Sequence, residues 1–124
     1  MTAMPRTLQA NAPDKSIVEL MCHFAVDAIH RERTVQFLVD HPDVVPVLHE
    51  AYPVLERLFG KRVPVVLELA HSPEEGLFGP LFINIYSQEP WEVSLHKLDQ
   101  FDETWWADLP ATLRCLLNTD VRCL

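Results

Sequence analysis

Two groups of histidine and carboxylate side chains have a spacing that could bind a metal ion or transfer a proton. The first comprises Glu19, His23, Asp27 and His30, whose separations of three and four residues place them on one face of a predicted helix. Along that helix Glu19 and His30 would lie about 16 Å apart, so one ion could contact only a neighbouring pair such as His23 and Asp27. The same stripe is where an amphipathic helix presents its solvated face, and the pattern favours that interpretation.

The second group comprises His96, Asp99, Asp102 and Glu103. Paired carboxylates can bind Mg²⁺ or Ca²⁺, or share a proton for acid–base catalysis. A calcium loop would also show alternate oxygen ligands and a glycine turn, and neither accompanies these residues. We therefore expect a solvated helix surface, no metal and no cofactor. A small metal-binding protein or enzyme that uses one of the two clusters is the alternative.

The motifs of common enzyme classes are missing from the sequence: G-x-S-x-G, the P-loop, H-E-x-x-H and the dinucleotide fingerprint. Cys22 and His23 are adjacent, which on a helix directs their side chains about 100° apart rather than together as a nucleophile and its base. The three cysteines, Cys22, Cys115 and Cys123, include no C-x-x-C pair, so neither a disulfide framework nor a structural zinc site is expected. Each lies in an apolar pattern that predicts burial.

The charge of the chain favours a protein partner over a nucleic acid or a membrane. The 124 residues carry 18 acidic and 10 basic side chains, for a net charge of −8, and eight of the acids lie between Glu74 and Asp108 beside a single base, Lys97. Such a surface repels phosphate backbones. No stretch approaches the roughly 20 apolar residues of a membrane helix, and residues 1–13 lack the apolar region of a signal peptide, so we expect a cytoplasmic protein.

Hydrophobic periodicity predicts one α+β domain at residues 14–124, after a disordered tail at residues 1–13. Apolar residues at helical spacing predict a helix from Ser16 to His41, which the polar residues 30–33 could interrupt, and a second helix from Pro42 to Gly60. Alternation then predicts the remaining elements: strands at 63–70 and 81–86, a hairpin loop at 71–80, a helix at 91–106 and a strand near 117–123. The expected fold is N-terminal helices followed by a ββαβ unit with a small, mainly antiparallel sheet.

Three features of this predicted fold could bind a partner. Alternation predicts that Val65, Leu67, Ile83 and Val121 share the inner face of the sheet. The six side chains on the opposite, outer face are Glu68, Asn84, Tyr86, Asn118, Asp120 and Arg122. A cross-strand pair such as Glu68 with Arg122 would stabilise this face. At the tip of the hairpin loop, Leu77 and Phe78 either fold onto the core or remain exposed for a partner.

The third feature is the tryptophan pair. Helical spacing separates Trp105 and Trp106 by about 100°. Trp105 continues an apolar stripe and is predicted to be core, with Trp91, Leu95, Leu98 and Phe101. Trp106 shares a side with Asp99, Asp102 and Glu103, so it is the tryptophan expected to contact a partner or to cap the sheet edge.

The C-terminal part of the chain carries a distinctive series of motifs. They are L-E-L-A-H-S-P-E-E, F-I-N-I-Y-S, L-H-K-L-D-Q-F-D-E-T-W-W and L-N-T-D-V. Over residues 35–124 the chain resembles a family of small uncharacterised bacterial proteins that share an LExxxDPE, LDxFDExWW and LxxDV pattern. Ser72 and Cys115 depart from it, since aspartate and glycine are common at these places. The resemblance implies one domain with the ββαβ order, and it implies no activity.

Taken together, these patterns predict a non-enzymatic binding or accessory protein that self-associates or neutralises a basic protein partner. The prediction depends on the acidic surface, the mixed outer face of the sheet and the absence of enzyme motifs. The neutralising role would make the chain antitoxin-like, by analogy only with other small acidic bacterial proteins. The predicted partner-binding residues are Glu68, Leu77, Phe78, Tyr86, Trp106 and Arg122.

Overall fold

A computed structural model describes residues 15–72, 74 and 76–123, so the predicted tail at residues 1–13 lies outside the described residues. The helices are α1 (Lys15–His23), α2 (Arg31–Asp40), α3 (Val44–Phe59), α4 (Trp91–Phe101) and α5 (Ala111–Arg114). The strands are β1 (Ala25–Val26), β2 (Val65–Ser72), β3 (Leu77–Ser87) and β4 (Leu117–Cys123). A π-helical turn, Asp102–Trp106, follows α4 directly.

The four strands form one sheet in the order β1-β2-β3-β4. Only β2 and β3 are antiparallel, whereas β1 pairs with β2, and β3 with β4, in parallel. The predicted α+β class is confirmed, but the prediction of a mainly antiparallel sheet is wrong, because the sheet is mixed. The element order also contains β1 and α5, which the predicted order lacks. Parallel neighbours need a crossover connection; α2 and α3 make it between β1 and β2, and α4 makes it between β3 and β4.

The predicted N-terminal helix ends much earlier than its apolar pattern indicates. Helix α1 stops at His23, and Ala25 and Val26 pair with Val66 and Leu67 of β2. The side chain of Phe24, at the break, is buried in the core. The polar residues 30–33 could interrupt the helix; the interruption lies just before them, between His23 and Arg31, and Arg31 begins α2. Pairing with β2 is a tertiary interaction, and it outweighs the local helical period.

The proline-rich helix forms as predicted, with small differences at its ends. Helix α3 begins at Val44, two residues after Pro42, and continues through Pro53 to Phe59. Gly60 follows with φ of 101°, a left-handed conformation that glycine adopts without a Cβ clash.

The paired part of the hairpin is longer than the sequence indicates, since β2 continues to Ser72 and β3 begins at Leu77. Leu77 and Phe78 are therefore not a loop tip: their backbones pair with Ser72 and His71. Their side chains lie outside the described part of the chain, so the prediction that they bind a partner is not tested.

The core lies between one face of the sheet and the helices. The inward residues of β2, β3 and β4 are almost fully buried: Val65, Leu67, Leu69, Leu81, Ile83, Ile85, Leu117 and Val121. Leu48 and Leu55 of α3 and Phe101 of α4 belong to the same buried cluster. Within the described residues, no helix is both long enough and apolar enough to cross a membrane.

Candidate protein-binding surface

In the first candidate metal cluster, His23 and Asp27 have different neighbours in the structure. The ring of His23 stacks on Tyr52 with centroids 4.3 Å apart, while Asp27 Oδ1 accepts a hydrogen bond from the amide of Ile29 at 3.4 Å. His23 and Asp27 no longer share a helix, because α1 ends between them. In the part of the chain that the structure describes, no three His, Cys, Asp or Glu side chains converge as a metal site would require, those at 96, 99 and 103 included.

The prediction that the three cysteines are buried is wrong. Cys22, Cys115 and Cys123 are all exposed and unbridged. The Sγ atoms of Cys22 and Cys115 lie near the backbone oxygens of Val18 and Thr112, at 3.6 and 3.1 Å. These thiols therefore make local contacts on the surface rather than packing in the core.

Helix α4 presents the largest difference from the predicted core. Trp91 and Leu95 were expected to be buried, but 52% of Trp91 and 37% of Leu95 are exposed. The buried positions of the helix are instead Ser94 and Phe101. Ser94 is fully buried, and its hydroxyl is 2.8 Å from Ser87 Oγ and 3.2 Å from the backbone oxygen of Glu89. This small, hydrogen-bonded residue faces the end of β3, which rotates Trp91 and Leu95 toward solvent.

Acidic side chains border the two exposed apolar residues. Four residues of α4 lie within an arc of about 100° around the helix axis: Trp91, Glu92, Leu95 and Asp99. We call these four residues the α4 flank. The helix carries one lysine and no arginine, and that lysine, Lys97, is ion-paired with Glu89. Within residues 15–72, 74 and 76–123, neither Glu92 nor Asp99 forms a salt bridge. The flank thus combines exposed apolar area with unneutralised negative charge.

The tryptophan pair has two structural roles. Trp105 is 5% exposed, stacks on Phe101 with centroids 5.1 Å apart, and donates from Nε1 to the backbone oxygen of Val47 at 2.9 Å. Its predicted place in the core is confirmed. Trp106 donates from Nε1 to the backbone oxygen of Leu117 at 3.0 Å. In the π turn the backbone hydrogen bond spans five residues, from the amide of Ala107 to Asp102 O at 2.8 Å. Because this turn is wider than an α-helical turn, one indole is directed to α3 and the other to β4.

Asp102, the first residue of the π turn, has a carboxyl group whose pKa is shifted by its surroundings. Partial burial raises the pKa, a hydrogen bond from the Thr119 hydroxyl at 2.6 Å lowers it, and the negative charge of Asp99 raises it again. The net result is a pKa above the ordinary value, because the burial of the charge is the largest of the three effects.

Replacing Asp102 by asparagine is expected to raise the free energy of unfolding at neutral pH. A carboxyl group with a raised folded-state pKa contributes its stability in full below the unfolded pKa and loses it as the pH rises through the folded value. Asparagine keeps the acceptor for Thr119 without the charge, so its advantage should appear near neutrality and vanish in acid. Denaturant unfolding across pH measures this, with Glu103→Gln, an exposed neighbour, as the control. A less stable D102N protein at neutral pH would contradict the assignment.

The outer face of the sheet is partly buried and mixed in character. Asn84 lies at its centre, 1% exposed, and donates from Nδ2 to Glu68 Oε2 at 2.8 Å. Asn84 Oδ1 is buried without a hydrogen-bond partner among the described residues. Arg122 lies beside Tyr86 and 3.9 Å from Asp120 Oδ2. The predicted pair of Glu68 with Arg122 is wrong, because β3 separates their strands.

Sequence reasoning missed Trp91 and Leu95 as surface residues. Helical spacing identifies which apolar residues share a side of the helix. It does not identify which side of the helix faces the sheet. The signal was the position of Trp91 as the first residue of the helix, directly after Pro90.

Comparison of the chain with protein-family models, with curated proteins and with solved structures gave no match. The resemblance to the small bacterial proteins with the LDxFDExWW pattern therefore stays a prediction.

Proposed function

We propose that the chain is a non-enzymatic binding protein that binds a basic segment of a partner protein at the α4 flank. The observation that carries the proposal is the exposure of Trp91 and Leu95 beside Glu92 and Asp99 on an ordered helix. An exposed tryptophan on a rigid element is the residue type that most often dominates the energy of an interface. The bordering carboxylates would attract a positively charged segment and orient it.

The net charge of −8 favours a basic partner over a second copy of the chain. Two identical acidic chains repel each other when their acidic flanks approach, whereas a basic segment gains attraction over the same distance. The apolar pair, one helical turn apart, matches the spacing of anchor residues on an amphipathic helix. A helix with leucine on one side and arginine or lysine on the other therefore fits the flank better than a second copy does.

Binding of a synthetic amphipathic helix made of leucine, lysine and arginine is expected to depend on Trp91. Titration followed by calorimetry, at low and at physiological salt, should show affinity that weakens as salt rises. Trp91→Ala should weaken binding about tenfold or more, since hot-spot truncations cost over about 1.4 kcal/mol. Trp105 is buried and Trp106 is half-buried, so Trp91 is the most exposed of the three tryptophans and its fluorescence should report the same binding event.

Val93→Ala is the matched control for that titration. Val93 is 39% exposed and belongs to the same helix, but helical geometry directs it about 160° away from Leu95. The variant should bind the peptide as the wild type does. The assignment of the α4 flank would be overturned if Val93→Ala and Trp91→Ala weakened the affinity for the peptide equally, or if neither changed it. A peptide with glutamate in place of its basic residues should not bind.

A further inference from the structure

Strand β4 lies at the end of the sheet, and no other strand of the described chain pairs with its outer edge. A free edge of this kind presents a row of backbone N–H and C=O groups that can pair with another chain. The amide of Leu81 donates to Leu116 O at 2.8 Å. In a parallel ladder with this bond, the backbone N–H and C=O groups that point toward β3 are those of residues 116, 118, 120 and 122. The residues between them, Leu117, Thr119 and Val121, direct their backbone groups to the free edge.

Side chains of the same molecule already engage these edge groups. The amide of Thr119 donates to Asn118 Oδ1 at 3.0 Å, and the amide of Val121 donates to Asp120 Oδ1 at 2.9 Å. The third edge residue, Leu117, accepts from Trp106 Nε1 through its carbonyl. Three successive outward-facing residues therefore each have one backbone group occupied within the chain.

We infer that Asn118 and Asp120, with Trp106 at the start of the strand, close the edge of β4 against strand addition by a second copy of the chain. An added antiparallel strand needs both the N–H and the C=O of each residue with which it pairs. At Thr119 and Val121 the N–H is already bonded, so pairing would exchange one hydrogen bond for another with little net gain. A second copy is the strand to be excluded, because it presents the same edge wherever the protein is concentrated.

The residue types fit this role. The side chains of Asn and Asp are short enough for Oδ1 to reach a neighbouring backbone amide, which is why both residues compete with ladder hydrogen bonds. Asp120 is also held by Arg122, whose Nε lies 3.9 Å from Oδ2. Both acceptors belong to an exposed or half-exposed surface, so replacing them leaves the core intact. The inference concerns β4 alone and does not depend on the α4 flank.

The experiment compares wild type with the double variant Asn118→Ala/Asp120→Ala. In dilute solution, hydrogen exchange at the amides of Thr119 and Val121 should become several-fold faster, while the amide of Ile83 inside the sheet should not change. With rising concentration, sedimentation velocity should show the double variant forming species larger than those of wild type. Exchange at Thr119 and Val121 should slow again as these species form, because intermolecular pairing covers the same amides.

The swap variant Asn118→Asp/Asp120→Asn is the matched control, since it keeps both acceptors and the net charge. It should exchange and sediment as wild type does. Asp120→Asn alone removes a charge and keeps the acceptor, so it should also match wild type. The inference is overturned if the alanine variant behaves as wild type in both measurements, if it associates without protection of Thr119 and Val121, or if Asp120→Asn associates as strongly.

Discussion

Replacing Trp105 by alanine is expected to lower the free energy of unfolding by about 3–5 kcal/mol. The indole is 5% exposed and stacks on Phe101 with an interplanar angle of 9°, so its removal leaves a cavity between α4 and α3. The hydrogen bond from Trp105 Nε1 to the backbone oxygen of Val47 is lost as well. A domain of this size has about 5–15 kcal/mol of stability in total, so the change removes a large share of it.

Denaturant unfolding followed by far-ultraviolet circular dichroism measures this effect without relying on the tryptophan signal. Trp105→Phe keeps an aromatic ring against Phe101 and removes the N–H donor, so it should cost less than the alanine variant and remain folded. Trp91→Ala is the control on the same chain, because half of that side chain is already in solvent. Equal unfolding midpoints for the Trp105→Ala variant and wild type would contradict the packing described for the π turn.

The burial of particular side chains was the part of the fold that the sequence predicted best. Val65, Leu67, Ile83 and Val121 were expected to share the inner face of the sheet, and all four are buried. Strand alternation places every second residue on the same face whatever the neighbouring strand does. Trp105 was predicted for a similar reason, because its position agrees with the helical period that ends at Phe101.

Strand direction and pairing were harder to predict, because alternation is the same in parallel and antiparallel sheets. The predicted helix between the last two strands was nevertheless a signal, since a helical crossover joins parallel neighbours. Strand β1 has only two residues, Ala25 and Val26, and no periodicity can reveal so short an element. Its existence depends on the edge that β2 offers, which is a tertiary feature.

For the surface proposed to bind a partner, the sequence predicted only the chemistry. The acidic character of residues 74–108 and the expectation of a protein partner came from composition, whereas the exposed pair Trp91 and Leu95 came from the structure. Trp106 was expected to contact a partner or to cap the sheet edge, and it donates to Leu117 O at the edge of the sheet; its role as a partner-binding residue stays a prediction. The exposure of Trp91 and Leu95 depends on the rotation of α4, and that rotation depends on how closely Ser94 approaches β3.

Replacing Ser94 by leucine is therefore expected to destabilise the protein by about 3 kcal/mol. The position is fully buried against Ser87, so extra carbon atoms overpack the contact at a cost of about 1–3 kcal/mol. The hydroxyl group also stops bonding Ser87 Oγ and Glu89 O, which costs about 1 kcal/mol more. The helix must move away from the end of β3 or rotate about its axis.

Ser94→Ala separates the two contributions, since it removes the hydroxyl without adding volume and should cost about 1 kcal/mol. Thermal unfolding of both variants, with the fluorescence of Trp91 recorded in the folded state, reports stability and helix rotation together. A rotated α4 in the leucine variant should bury part of Trp91 and shift its emission to shorter wavelength, whereas alanine should leave the emission unchanged. A leucine variant as stable as wild type, with unchanged emission, would show that Ser94 does not set the rotation that exposes the α4 flank.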